Sequence, residues 1–153
     1  MARSTELLVT QSVLDRLIAV EEWPATRSQS VRFFREALKR DVEWLLNSRQ
    51  PHLDQLSPWP AAKASVINYG LPDITSLGLT SAADHQTLRV AIAGCLRIFE
   101  PRLTDVHVTL EGSELVDRRL RFHIEGNLKL DPSPEEVAFD TVLELTSGEY
   151  KVK

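Results

Sequence analysis

Hydrophobic positions recur with two different periods along this 153-residue chain, and the change from one period to the other falls near residue 100. From Ser30, the stretch SVRFFREALKRDVEWLLNSRQP sets Val31, Phe34, Leu38, Val42 and Leu45 three or four residues apart. That spacing stacks side chains on one face of a helix. Ser30 is expected to cap its start, Arg49 to sit at the negative pole of its dipole and Pro51 to terminate it. A second helix is expected from about Ser81 to Phe99. There Ser81 and Asp84 resemble a capping box, and Leu88, Ala91, Ile92, Cys95 and Phe99 form the buried stripe.

After residue 100 the period becomes two. Val106, Val108 and Leu110 alternate with Asp105, His107 and Thr109; after a turn at EGSE, Leu120, Phe122 and Ile124 alternate with Arg119, Arg121 and His123. A third run puts Val137, Phe139, Thr141, Leu143 and Leu145 on one side, and beyond TSGE the tail YKVK can return as a short last strand. Helices first and a meander afterwards predict an α+β fold. Its N-terminal helices pack on one face of a C-terminal antiparallel sheet of three to four strands, and the other face stays wet.

Residues 1–29 read as an N-terminal arm, with a short amphipathic piece at SVLDRLI and a break at Trp23-Pro24, and residues 30–153 as the folded domain. Proline and glycine crowd the stretch from Pro51 to Thr80, too long a connection to be structureless by default. Its centre, VINYGLPDI, reads as an ordered loop, because Gly70 can take a positive φ and Pro72 pushes Leu71 toward extended geometry.

Composition narrows the function classes. At 42% hydrophobic and 26% charged residues the chain lies far from a disordered composition. A net charge of −4 argues against a general nucleic-acid binder; Arg118, Arg119 and Arg121 are the basic cluster, without interleaved aromatics. The lone Cys95 suits a reducing compartment, and the N-terminus reads as neither a signal peptide nor a membrane span, so a cytoplasmic protein is expected. His52, His85, His107 and His123 have no second ligand at a metal-site spacing, and no phosphate loop or nucleophile elbow is present, so neither metal nor cofactor is expected. Trp23, Trp44 and Trp59 read as core or rim packing, with Trp59, between two prolines, as a candidate exposed anchor.

The chemistry concentrates at RIFEPRLTDVHV, residues 97–108. Pro101 steers Glu100 out of helical geometry, leaving its carboxylate beside the negative helix end, where it is disfavoured by roughly 0.3–1 kcal/mol. Arg102 can grip it through two parallel bonds. Three readings stay open at this point: a local salt bridge squaring off the turn, a docking knob, or a catalytic carboxylate. For the last, a glycosidase needs a second carboxylate roughly 5–9.5 Å away, and no spacing nominates one. As an exposed ion pair it would contribute about 0–1 kcal/mol, so Glu100→Ala or Arg102→Ala is expected to leave the domain folded.

Together LKRDVEWLLNSR, SVINYGLPDI, IFEPRL and VAFDTVLELTSGEYKV resemble, in order and over about residues 10–152, the TssE baseplate subunits of bacterial type VI secretion systems. These belong to the wider family of baseplate wedge proteins of contractile-tailed phages. Ser48 stands where the family often has threonine, and residues 21–30 have no counterpart in it. The resemblance implies a structural, non-enzymatic subunit of a cytoplasmic baseplate assembled at the inner membrane. Its implied partners are the wedge proteins TssF and TssG, with TssK as a further candidate, and the sheath proteins TssB and TssC. The family's Glu-Pro-Arg motif maps onto Glu100, Pro101 and Arg102. Alternatives are a peptidoglycan-cleaving, lysozyme-like enzyme, a label that attaches to the family, and a generic adaptor.

The resemblance also implies an initiator role, a sheet presented for the TssB–TssC sheath to start polymerising on, and physics supports it separately, because an exposed sheet edge carries unpaired N–H and C=O groups able to accept another chain's strand. The expected edge is the strand at 137–145, through Val142 and Glu144, or the tail, through Tyr150 and Val152. The loop residues Asn68, Tyr69, Gly70, Leu71, Pro72 and Asp73 complete the candidate partner-binding set, either as an interface loop or as a packed turn.

Overall fold

A computed structural model describes residues 8–18, 23–51, 59–73, 81–114 and 119–153, the side chains of 112–114 excepted. His52, Arg118, and the Glu21 and Glu22 of the unmatched 21–30 stretch lie outside the described residues. The helices are α1 (Val13–Leu17), α2 (Arg27–Asn47), α3 (Pro60–Lys63) and α4 (Ala82–Phe99), with a 3-10 turn at Val66–Asn68 between the last two. Four strands follow, β1 (Leu103–Glu114), β2 (Arg119–Leu128), β3 (Glu135–Glu144) and β4 (Glu149–Val152), antiparallel in the order β1-β2-β3-β4. The arrangement is the expected α+β meander.

Helix α2 begins earlier than its apolar period suggested. Thr26 caps it in a full capping box with Gln29. Ser30 lies inside the helix, fully buried, donating to the Arg27 carbonyl at 2.8 Å and accepting the Val9 N–H at 3.1 Å. A capping box satisfies two orphan N–H groups at once, so it outcompetes a single serine one turn later. The helix also stops at Asn47, ahead of Pro51. Ser48 turns extended and the chain enters a parallel bridge from Arg49 to Leu71, a tertiary pairing that ends the helix before proline has to. Arg49 does serve the helix end, donating to the Leu46 carbonyl at 2.9 Å.

The core forms where α2 and α4 cover one face of the sheet. Phe34, Leu38, Val42 and Leu45 of α2 and Leu88, Ile92 and Cys95 of α4 meet Val106, Val108, Leu120, Phe122, Ile124, Phe139 and Leu143 of the strands. Strand β1 runs on to Glu114, so the expected turn at EGSE belongs to the strand. The other expected turn is present, with Gly148 at φ 72° before β4.

Candidate partner-binding site at the helix-to-strand corner

Helix α4 ends at Phe99, and Glu100 is its C-cap, its N–H still bonded to the Leu96 carbonyl at 2.9 Å. The Leu103 N–H then returns to the Glu100 carbonyl at 3.1 Å, closing a tight corner with Pro101 exposed at its tip. Arg102 grips Glu100 with both sides of its fork, Nε to Oε1 at 2.7 Å and Nη2 to Oε2 at 2.5 Å, while its backbone N–H adds a bond to Oε1 at 3.2 Å. Glu100 is only 4% exposed. The pair is therefore not the exposed ion pair expected from the sequence, and the small stability contribution expected for it does not carry over.

The corner belongs to a longer line of alternating charges. Arg102 Nη2 also reaches Asp41 Oδ2 of α2 at 2.8 Å; Asp41 Oδ1 accepts from Arg40 at 2.7 and 3.0 Å; and Arg40 bonds Asp15 of α1 at 2.8 Å. Ser12 closes the line, donating to Asp15 at 2.6 Å. Arg102 lies over the Phe34 ring and Arg40 over Trp44, at 5.5 and 4.8 Å from the ring centroids. Burial works against the Arg102 charge, yet the bonds and field of Glu100, then of Asp41, outweigh it and hold its pKa above the ordinary range. Burial likewise opposes the Asp15 carboxylate, but Ser12, Arg40 and the field of Arg102 leave its pKa lowered.

The loop at 68–73 comes to the same place. Tyr69 sets its ring edge-on to Phe99 at 5.4 Å, and its phenol pKa is raised by burial first and then by Asp41, Cys95 and Glu100. Gly70 has φ 108°, and a Cβ there would sit 2.4 Å from the Ser48 carbonyl oxygen; its own carbonyl accepts from Cys95 at 3.2 Å. Leu71 is fully buried and exchanges backbone bonds with Ser48 and Gln50, each at 2.9 Å. Asn68 donates to the Lys63 carbonyl at 3.1 Å, Pro72 is half-buried and Asp73 is exposed. The loop is thus a packed turn that leaves Pro72 and Asp73 at the surface.

The remaining candidates lie apart, on β3 and β4. Val142 and Glu144 are half-buried on the wet side, Glu144 near Arg119 and Lys151 at 3.5 and 3.8 Å. Tyr150 and Val152 are buried at 1% and 5% exposure. Asn47 takes the Tyr150 N–H and gives to its carbonyl, both at 2.9 Å, and Glu43 takes the Val152 N–H at 3.0 Å.

Sequence reasoning missed Asp41, Arg40 and Asp15. Asp41 is 61 residues from Arg102, and its signal was a charge directly beside the buried Val42 on an otherwise apolar face. It also missed a cluster on the wet face, where cross-strand register places Asp140 against His123, 2.7 Å from Nδ1, and Glu125 lies 3.3 Å from Nε2. Ligand atoms of Glu111, His123 and Asp140 lie within 4.8 Å of one another, a set of metal-capable groups in which both carboxylates face the His123 Nδ1 and pair with the ring when it is protonated. The Asp140 bond raises the His123 pKa, against a smaller effect of burial and with the fields of Asp140, Glu111 and Glu125 adding to it.

Among the described residues no helix is long and apolar enough to cross a membrane. The sequence pattern of the family described as baseplate wedge protein gp25 matches residues 33–133. No curated protein matches the chain.

Proposed function

Because the chain belongs to the baseplate wedge protein gp25 family, a family of structural baseplate components, we propose that it is a wedge subunit of a contractile type VI secretion baseplate. In this reading it docks to TssF and TssG, with TssK as a further candidate, through Glu100, Pro101 and Arg102. It then offers an edge of its sheet to the first strands of the TssB–TssC sheath. The baseplate would stand in the cytoplasm at the inner membrane, with residues 1–29 as an arm on the 30–153 wedge domain.

The observation that carries the reading is the family match over 33–133, which spans Asp41, the 68–73 loop and the Glu100–Arg102 corner. A corner whose two charged residues hold one another is already ordered before it meets a partner, so docking loses little side-chain freedom there. Pro101 at its tip, with Pro72 and Asp73 of the loop that packs against α4 through Tyr69, supplies the outward contacts. A lysozyme-like role is less well supported, since both Glu100 oxygens are engaged by Arg102 and the side chain is 4% exposed, leaving no approach for a glycosidic oxygen.

The test is to recover the full chain from cells that build the machine, as wild type and as Arg102→Lys, which keeps the charge and loses the fork. Wild type is expected to bring TssF and TssG with it and the variant to lose them, with no sheath formed. Sheath assembly in cells lacking the chain would leave only an adaptor role, and capture without any wedge protein would overturn the docking assignment.

A further inference from the structure

The sheet has two edges, β1 and β4, and the chain closes one of them itself. Asn47 occupies the outward N–H and C=O of Tyr150, and Glu43 the outward N–H of Val152, so side chains of α2 take the positions of a neighbouring strand. Farther along α2, Arg35 pairs with Glu135 at 2.6 Å and Arg27 reaches the Asp131 carbonyl. Lys153, where β4 runs out, bonds the Asp140 carbonyl at 2.7 Å. Helix α2 therefore lines the β4 margin and meets the start of β3 at Glu135.

Strand β1 is different. It is 12 residues long and, among the described residues, has no strand on its outer side. Arg97 caps it near its start, at the Val106 carbonyl, 3.3 Å away. Natural edges are commonly blocked by lysine or proline. Residues 103–114 contain no Lys, Arg or Pro. Two bulges, between Thr104 and His107 and between Leu110 and Gly112, bracket a regular stretch at His107–Leu110 and so limit where a new strand can enter in register.

We infer that β1 is the strand-accepting edge, and that its occupant is an extended segment of another chain that alternates apolar side chains with Lys or Arg. The inference rests on the edge-offering role proposed above and specifies its place and its partner's chemistry. Backbone groups facing out of β1 recognise a strand. On the core side the incoming residues would extend the row of Val108 and half-buried Leu110. On the wet side they would lie beside exposed Asp105 and Glu111, with Glu125 and Asp140 on the strands behind, against the imidazoles of His107 and His123. On β1 itself that flank carries the Asp105 and Glu111 carboxylates and no Lys or Arg, with Arg119 and Arg121 one strand behind on β2, and opposite charges across strands favour pairing.

Hydrogen exchange of the full chain, free and inside purified baseplate–sheath particles, tests the location. Slower exchange across 105–111 in the particle supports β1. Slowing confined to 135–152 overturns this inference and leaves the initiator reading standing, while no slowing in either strand set overturns both. Thr109→Cys, cross-linked within the particle, tests the chemistry. Native Cys95 is buried, and burial pushes its thiol up to about 12, so it stays silent. The captured peptide is expected to alternate apolar and basic residues, and an acidic peptide overturns the assignment. Glu111→Lys is expected to weaken incorporation by about two- to fivefold while leaving the fold intact; unchanged incorporation counts against the charge argument.

Discussion

Replacing Arg102 by alanine tests whether the corner is a structural clamp. The change removes the fork on Glu100, bonds at 2.7 and 2.5 Å, and the 2.8 Å bond to Asp41. Asp41 keeps Arg40. Glu100 keeps one backbone N–H at 3.2 Å in a site where it is 4% exposed. Removing one partner of a fully buried pair costs about 3–5 kcal/mol. The Arg102 side chain is 21% exposed, so water can partly replace it and the cost falls to or below the lower end of that range, about 2–3 kcal/mol. Loss of the guanidinium over Phe34 adds roughly 0.5–1 kcal/mol. The sum, about 3 kcal/mol, corresponds to a melting drop of about 6–12 °C for a chain of this size. Urea unfolding at constant slope measures it, and a double-mutant cycle with Glu100→Ala should return a coupling above roughly 1.5 kcal/mol. A loss below about 1 kcal/mol, the range of an exposed pair, would show that solvent holds Glu100 as well as arginine does and would refute the clamp.

Three further expectations follow from single contacts. Asn47→Ala unpairs the Tyr150 N–H and C=O at the β4 edge, costing about 2 kcal/mol; it should also promote concentration-dependent association in sedimentation, and a stable monomer would argue that Asn47 does not close that edge. Gly70→Ala places a Cβ 2.4 Å from the Ser48 oxygen at φ 108°, so denaturant unfolding should register a loss of roughly 3 kcal/mol or more, and a neutral effect would mean the turn relaxes freely. For His123, whose folded pKa is raised by Asp140, the ion-pair contribution is complete below the unfolded value of about 6.5 and disappears as pH rises through the higher folded value. An NMR titration should place its midpoint above about 6.5, moving down in Asp140→Asn; a wild-type midpoint at or below the ordinary value would dissolve the cluster as described.

Local pattern determined the elements. The apolar spacing along α2 and α4 and the alternation along β1–β3 depend on residues within a few positions of each other, so helices, strands and the inward rows of Leu120–Phe122–Ile124 and Phe139–Leu143 were legible in advance. The stop at Glu100-Pro101 was legible too, because proline acts on its immediate neighbour. Ends set by tertiary pairing were not, which is why α2 stops at Asn47, on the Arg49–Leu71 bridge, rather than at Pro51. Only packing decided the meaning of the charges: Arg102 could be seen to reach Glu100, but not that Asp41 and, through Arg40, Asp15 would converge on it across the chain. The same holds for the sheet. Sequence can say that a strand exists, whereas the state of its outer backbone depends on which helix lies alongside, and Asn47 and Glu43 seal β4 only because α2 packs there.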